Sequence, residues 1–341
     1  MLIKPNLIDE EIIKYLQDTY GLNITKISFL PLGADLNTAI YQIQTNSTAR
    51  YFLKLRRGNF NETAVSIPAY LASLGIKQII PPLPTKSNLF WASLESFSVI
   101  LYPYIEGYNG FEVPLSDQQW IEFGGTIKKI HTTNIPSTIT NKLPRETFSS
   151  KWRDLVKIFL ERIENEIFKE PIAEQTALFL KSKSTEFLNI IQRAENLAQS
   201  LQKQPLDFTV CHADIHRWNL LIDKKGILYV IDWDTLIYAP KERDLMFIGA
   251  GIGTSERTSL AEEKLFYQGY GQTDINKSAI AYYRYERIIE DIGVYCEQIF
   301  LSDGENEDKI QSFNYLQSNF LQNGTIEKAY EADKKIIKKQ I

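Results

Sequence analysis

The densest chemistry in the chain is the run 211–221, CHADIHRWNLL, followed by 230–234, VIDWD. His212-x-Asp214 leads to Asn219 five residues on, and then to Asp232 thirteen residues further. Moving a phosphoryl group from Mg-ATP to an alcohol needs a carboxylate that orients and deprotonates the attacking hydroxyl. It also needs oxygen ligands for the metals that neutralise charge between the β- and γ-phosphates. Asp214 suits the first task, and Asn219 and Asp232 are hard oxygen donors suited to the second. HxDxxxxN alone arises often by chance. A strand that ends in Asp at this interval, with a strand-rich segment and an embedded lysine upstream, makes the combination much rarer.

These residues need elements to hold them. A short loop must bring Asp214 and Asn219 to one mouth, and a hairpin return over 226–232 must set Asp232 beside them. Upstream, 24–32, 38–44 and 50–55 alternate apolar with polar residues, and 88–92 and 97–104 read as two more strands. A helix is expected at 61–74, with Pro68 kinking it or marking its first turn. After Gly107 the pattern becomes helical. Ser116 N-caps 116–131. Trp152, Leu155, Val156, Phe159 and Ile163 step at helical spacing, as do Phe187, Ile190, Ile191, Ala194, Leu197, Ala198 and Leu201. Residues 259–271 and 277–301 are helical again. The expected fold is α+β and bilobal: a small β-rich N-lobe with one main helix (1–102), a hinge (103–107) and a larger, mostly helical C-lobe (108–341).

Composition sets the outer bounds. The chain has 341 residues, 44% apolar and 23% charged, enough to bury a large core. Its formal net charge is −4, which supplies no basic surface for nucleic acid and suits a cationic ligand. Two cysteines, Cys211 and Cys296, build neither a disulfide framework nor a zinc site. The start, MLIKPNLIDEEI, carries charges where a signal peptide needs an apolar core. No apolar run approaches the roughly 20 residues of a membrane helix. A cytoplasmic monomer is the expectation, with the basic tail 334–341 read as a solvated helix end.

The catalytic segment resembles that of the aminoglycoside phosphotransferases, which share a protein-kinase-like fold, and the likeness covers nearly the whole chain. Within that family, 241–248 (KERDLMFI), 249–253 (GAGIG) and 282–295 (YYRYERIIEDIGVY) are most similar to the spectinomycin phosphotransferases. The resemblance implies Asp214 as catalytic base, Asn219 and Asp232 as magnesium ligands, and His212 as a brace for the loop. Lys54, in RYFLKLR, would be a fixed cation on the ATP phosphates, with Glu62 its anionic partner. Read as residues alone, Lys54 could instead guard a sheet edge, and Glu62 could be an ordinary helix-start glutamate. Gly33, in LGADLNT, stands where kinase-like folds place a phosphate-covering loop, and a plain hairpin turn fits equally. By alignment with the family, the Pro103 carbonyl and the Ile105 N–H would meet adenine, with Tyr102 beside the base.

The acceptor would be a small cationic alcohol, spectinomycin by resemblance, walled by the helical lobe. Its candidate contacts are Trp218, Trp233, Asp234, Glu286 and Glu290. Trp218 and Trp233 could flank a polycyclic acceptor or pack the core. Glu286 and Glu290 repel mildly at i, i+4, which a cation would relieve. Arg287 could equally satisfy Glu290 or Asp291. Arg243–Asp244 reads as a structural ion pair, His131 as a capping or core residue, and Cys211–His212 as a poor nucleophile pair because neighbours on a strand point to opposite faces. Two other functions stay open: a metabolic kinase of the same fold acting on choline, homoserine or a sugar, and an idle nucleotide-binding scaffold.

Overall fold

A computed structural model describes residues 4–32, 37–250, 257–302, 306–322 and 324–337. Elements are numbered along the chain. Two compact units emerge, one formed by residues 1–144 with 217–236 and the other by 145–216 with 237–341.

The first unit opens with α1 (Asp9–Tyr20) and continues as β1 (Ile24–Leu30), β2 (Thr38–Thr45), β3 (Arg50–Arg57), α2 (Thr63–Ser73), β4 (Ala92–Leu94) and β5 (Phe97–Pro103). The five strands form an antiparallel sheet in the order β1-β2-β3-β5-β4. Ile12 and Leu16 of α1 cluster with Tyr41, Ile43, Leu53, Leu55, Val99 and Leu101. Strand alternation turns Lys54 to the opposite face, in register with Ile40 and Ile100. β3 lies at the middle of the sheet, so Lys54 guards no edge. Pro68 sits inside α2, so it marks neither end. The strand expected at 88–92 begins only at Ala92, after Asn88 takes a positive φ in a turn. α1 went unread although Ile12 and Leu16 carry the helical spacing and Gly21 closes its end in the left-handed region.

The same unit includes β6 (Gly107–Asn109), α3 (Asp117–Thr132) and α4 (Ser137–Thr140). Ser116 and Gln119 form a capping box at the start of α3. Two strands from the later segment complete it, β8 (Leu220–Asp223) and β9 (Leu228–Val230), and the three-stranded order is β6-β8-β9. A Cβ on Gly107 would lie 2.2 Å from the Ile222 carbonyl oxygen, so the β6–β8 approach requires glycine there. The segment 103–107, expected as the hinge, therefore lies within the first unit, because β6 pairs with β8 immediately after it.

The second unit contains α5 (Lys151–Asn165), α6 (Pro171–Leu201), β7 (Phe208–Cys211), β10 (Ile237–Pro240), α7 (Glu242–Leu245), α8 (Ser259–Tyr270), α9 (Lys277–Phe300), α10 (Asn306–Ser318) and α11 (Thr325–Ile337). α9 is its centre. It packs on α5, α6, α7, α10 and α11, and Tyr285, Ile288, Ile292, Cys296 and Ile299 are buried on it. β7 and β10 form a two-stranded ribbon. Both cysteines are free and buried, and burial pushes both thiols up. Among the described residues, no helix is long and apolar enough to cross a membrane.

Candidate active site

In the first unit the turn Asp232-Trp233-Asp234 meets the polar face of β3. Lys54 Nζ lies 2.6 Å from Asp234 Oδ2 and 3.1 Å from Asp232 Oδ1. Arg56, two residues along on the same face, donates to Asp234 as well. Burial acts to lower the Lys54 ammonium, but Asp232 and Asp234 outweigh it and hold it above the ordinary lysine range. Lys54 thus stays charged in a largely dry setting.

The turn is built by local geometry. Asp232 adopts φ +62°, a left-handed conformation that aspartate tolerates better than branched residues. The Ile231 N–H donates to the Asn219 carbonyl (3.0 Å), and the buried Trp233 indole donates to the Val230 carbonyl (3.2 Å). The first of these bonds brings the backbones of Asn219 and Asp232 to one end of the β8–β9 hairpin, as the spacing requires. Asn219 is buried on its short turn, while the Asp232 side chain is half-exposed. An amide oxygen and a carboxylate at one hairpin end are a donor set that fits a hard divalent cation.

Other expected contacts lie elsewhere. Glu62 donates nothing to Lys54's neutralisation; its carboxylate takes the ammonium of Lys142 instead. The role expected of Glu62 is filled by Asp232 and Asp234. Tyr102 pairs in register with Phe52 on β3, and burial pushes its phenol up. Pro103 ends β5 opposite Tyr51, and Ile105 lies between β5 and β6. Trp218 is exposed and stacks on Phe111 at 4.8 Å. Gly33 lies outside the described residues.

Asp214 belongs to the second unit, on the loop after β7. The backbone N–H groups of His212 and Ala213 donate to the buried Asp244 carboxylate at 3.0 and 2.6 Å. Asp244 is therefore the clamp on this loop, while Arg243 reaches towards Glu290 at 3.7 Å. His212 accepts from the Asp214 N–H at 3.3 Å, the bracing bond expected of it. Asp214 Oδ1 lies 2.7 Å from Arg287 Nη1, and Oδ2 lies 3.2 Å from His216 Nε2. Burial raises the Asp214 carboxyl, but His216 and Arg287 outweigh burial and hold it well below the usual carboxylate range.

Along α9, Arg287 also bonds Asp291 at 2.9 Å, which satisfies the i+4 alternative. Glu286 pairs with the buried Arg153. Burial pushes the Glu286 carboxyl up to about 7 against the pull of that arginine. The sequence reading misses Arg56 and the link from Arg287 to Asp214, and it pairs Asp244 with Arg243 where the structure sets it on the His212 and Ala213 N–H groups. Arg56 carried a signal, since i and i+2 on a strand share a face. The other two carried none.

A family model described as the phosphotransferase enzyme family matches residues 28–280, well over half of the chain. The chain belongs to this family. A spectinomycin phosphotransferase solved with ADP and spectinomycin is 35% identical, with a TM-score of 0.88 over 96% of this chain and 99% of its own. An AMP-bound complex of spectinomycin phosphotransferase is 34% identical, with a TM-score of 0.83 over 94% of this chain and 98% of its own. A choline kinase from Streptococcus pneumoniae is 14% identical, with a TM-score of 0.59 over 95% of this chain and 99% of its own, a likeness of fold alone. No curated protein sequence matches the chain. As a member of the phosphotransferase family, the chain has its protein-kinase-like α+β fold, with a β-sheet N-terminal part and a helical C-terminal part.

Proposed function

We propose that this phosphotransferase moves the γ-phosphoryl group of ATP to a hydroxyl of spectinomycin, an aminocyclitol, and so confers resistance to it. The observation that carries the nucleotide half is the meeting of Lys54 and Asp232, 178 residues apart, at 3.1 Å. The acceptor half is supported by near end-to-end likeness to a structure solved with ADP and spectinomycin.

In this reading Lys54 holds the triphosphate, and Asp234 keeps Lys54 in place. Asn219 and Asp232 would hold magnesium, which when bound neutralises charge between the β- and γ-phosphates. The Pro103 carbonyl, the Ile105 N–H and Tyr102 would meet adenine, and Gly33 the phosphates. Asp214 orients the acceptor hydroxyl and takes its proton as the oxygen–phosphorus bond forms and ADP departs. A carboxyl held ionised, as Asp214 is, can accept a hydrogen bond from the acceptor hydroxyl and so orient it. Residues 1–102 would serve as nucleotide lobe, 103–107 as hinge and 108–341 as acceptor lobe, with α5 and α6 shaping the pocket.

Among the acceptor candidates, the exposed Trp218 is best placed to face a ligand. Trp233 and Asp234 serve the turn and Lys54, and Glu286 and Glu290 already have arginine partners. A cationic acceptor would have to compete with those arginines for either glutamate.

The test is incubation with spectinomycin and Mg-ATP, reading by mass spectrometry for a product heavier by one phosphoryl group. Phosphorylation of choline or homoserine but not spectinomycin would overturn the acceptor. Absence of any phosphorylated product across these alcohols would overturn the transfer itself.

A further inference from the structure

We propose that Arg287 is a positioning residue for Asp214, fixing the plane of its carboxylate through Nη1 on Oδ1, with Asp291 as the buttress that aims the guanidinium. The inference rests on reading Asp214 as the base.

The loop clamp already described holds the backbone. Asp244 takes the His212 and Ala213 N–H groups, and His212 takes the N–H of Asp214 itself. None of these bonds sets the side-chain torsions of Asp214. Arg287 acts on them, 2.7 Å from Oδ1 and within the range of charge-assisted bonds, alongside His216 Nε2 at 3.2 Å from Oδ2. A guanidinium is planar, so anchoring one nitrogen aims the others. Nε is anchored on Asp291 at 2.9 Å, and the group also lies over the Phe247 ring, 5.8 Å from its centroid. Helix α9 thereby transmits its position to a carboxylate 73 residues away.

Helix stability alone does not account for this arrangement. The Arg287–Asp291 pair is complete as an i, i+4 pair within α9. The second bond leaves the helix and ends on one oxygen of the proposed base. Its effect is to keep that oxygen turned to α9 and, together with His216, the carboxylate ionised in a buried place. A lysine could not reproduce it, since a single ammonium lacks the rigid fork that spans two acids.

The test compares Arg287→Gln, Arg287→Lys and Asp214→Asn in the full-length protein, using initial rates with spectinomycin and Mg-ATP. Displacing a catalytic group by an ångström costs on the order of a hundredfold, so Arg287→Gln is expected to lower kcat about tenfold to a hundredfold. The KM for ATP should stay within about twofold, the mark of an interaction not used in nucleotide binding. Arg287→Lys should recover part of kcat by restoring the charge. A wild-type kcat in Arg287→Gln, or a loss confined to KM for ATP, would overturn the inference.

Should Arg287→Gln fail to fold, Arg287→Lys decides alone: reduced kcat at unchanged KM for ATP supports the role, and unchanged kcat removes it. Asp214→Asn separates the two ideas. If that variant keeps full turnover, the base reading falls and takes this inference with it. If it is inactive while Arg287→Gln turns over normally, only the positioning role falls. A crystal structure of Arg287→Gln or Arg287→Lys gives a readout that needs no acceptor. The Asp214 carboxylate is expected to rotate, and an unmoved carboxylate would overturn the inference.

Discussion

Lys54 Nζ and Asp234 Oδ2 stand 2.6 Å apart, joining the middle strand of the sheet to a turn 180 residues later in the chain. The lysine is thus held from the turn that carries Asp232, and not from the helix that follows its own strand.

That relationship separates two carboxylates by effect. Bonds to charged groups contribute roughly 1.5–3 kcal/mol, so Asp234→Asn should raise the KM for ATP about tenfold or more. Glu62→Ala, which removes only an exposed partner of Lys142, should change it less than about twofold. Steady-state kinetics in ATP checks both. A larger effect from Glu62→Ala would return the anchoring role to α2.

Asp214→Asn keeps the size of the side chain and removes its basicity. General-base catalysis contributes typically about a hundredfold to ten-thousandfold, and kcat should fall by that range. Calorimetric titration with Mg-ATP should give a dissociation constant near that of the wild type. Near-normal turnover would remove Asp214 from the chemistry.

Glu286 gives a pH signature in stability. Its carboxyl is raised by burial from 4.5 to about 7, so over that interval the folded chain holds more of this proton than the unfolded chain does. Stability from this group is then fully present below about pH 4.5 and declines as pH rises to about 7. Glu286→Gln cannot ionise and should lack the decline. The Tm difference between variant and wild type should shift in favour of the variant across the interval. A difference that stays constant with pH would contradict the burial argument.

Gly107→Ala tests the join between β6 and β8. The added methyl would press on the Ile222 carbonyl, and overpacking of this kind costs about 1–3 kcal/mol. Urea denaturation should show a lower midpoint. An unchanged midpoint would mean that the two backbones separate without cost.

The sequence is most legible where a relation is local. Asp214 and Asn219 are five apart, and hairpin pairing carries Asn219 to Asp232, so residue type and spacing were informative. The strand that carries Lys54 was legible because its residues alternate, with Leu53 and Leu55 buried and Lys54 and Arg56 less so. What failed was pairing at a distance. Nothing near Lys54 names Asp234, and Glu62, the nearest acid in sequence, pairs with Lys142 instead. Nothing near Asp214 names Arg287 or Asp244, because docking of α7 and α9 on the loop is settled by packing. The strand that begins at Gly107 pairs with the hairpin 112–116 residues later, a register no local pattern encodes.

The two sulfhydryls are sealed inside the second unit with their ionisation suppressed. Maleimide reagents should therefore pass the native protein by. A single cysteine engineered at the solvent-facing position 218 would then take a fluorophore cleanly, turning this phosphotransferase into its own optical reporter of ligand arrival.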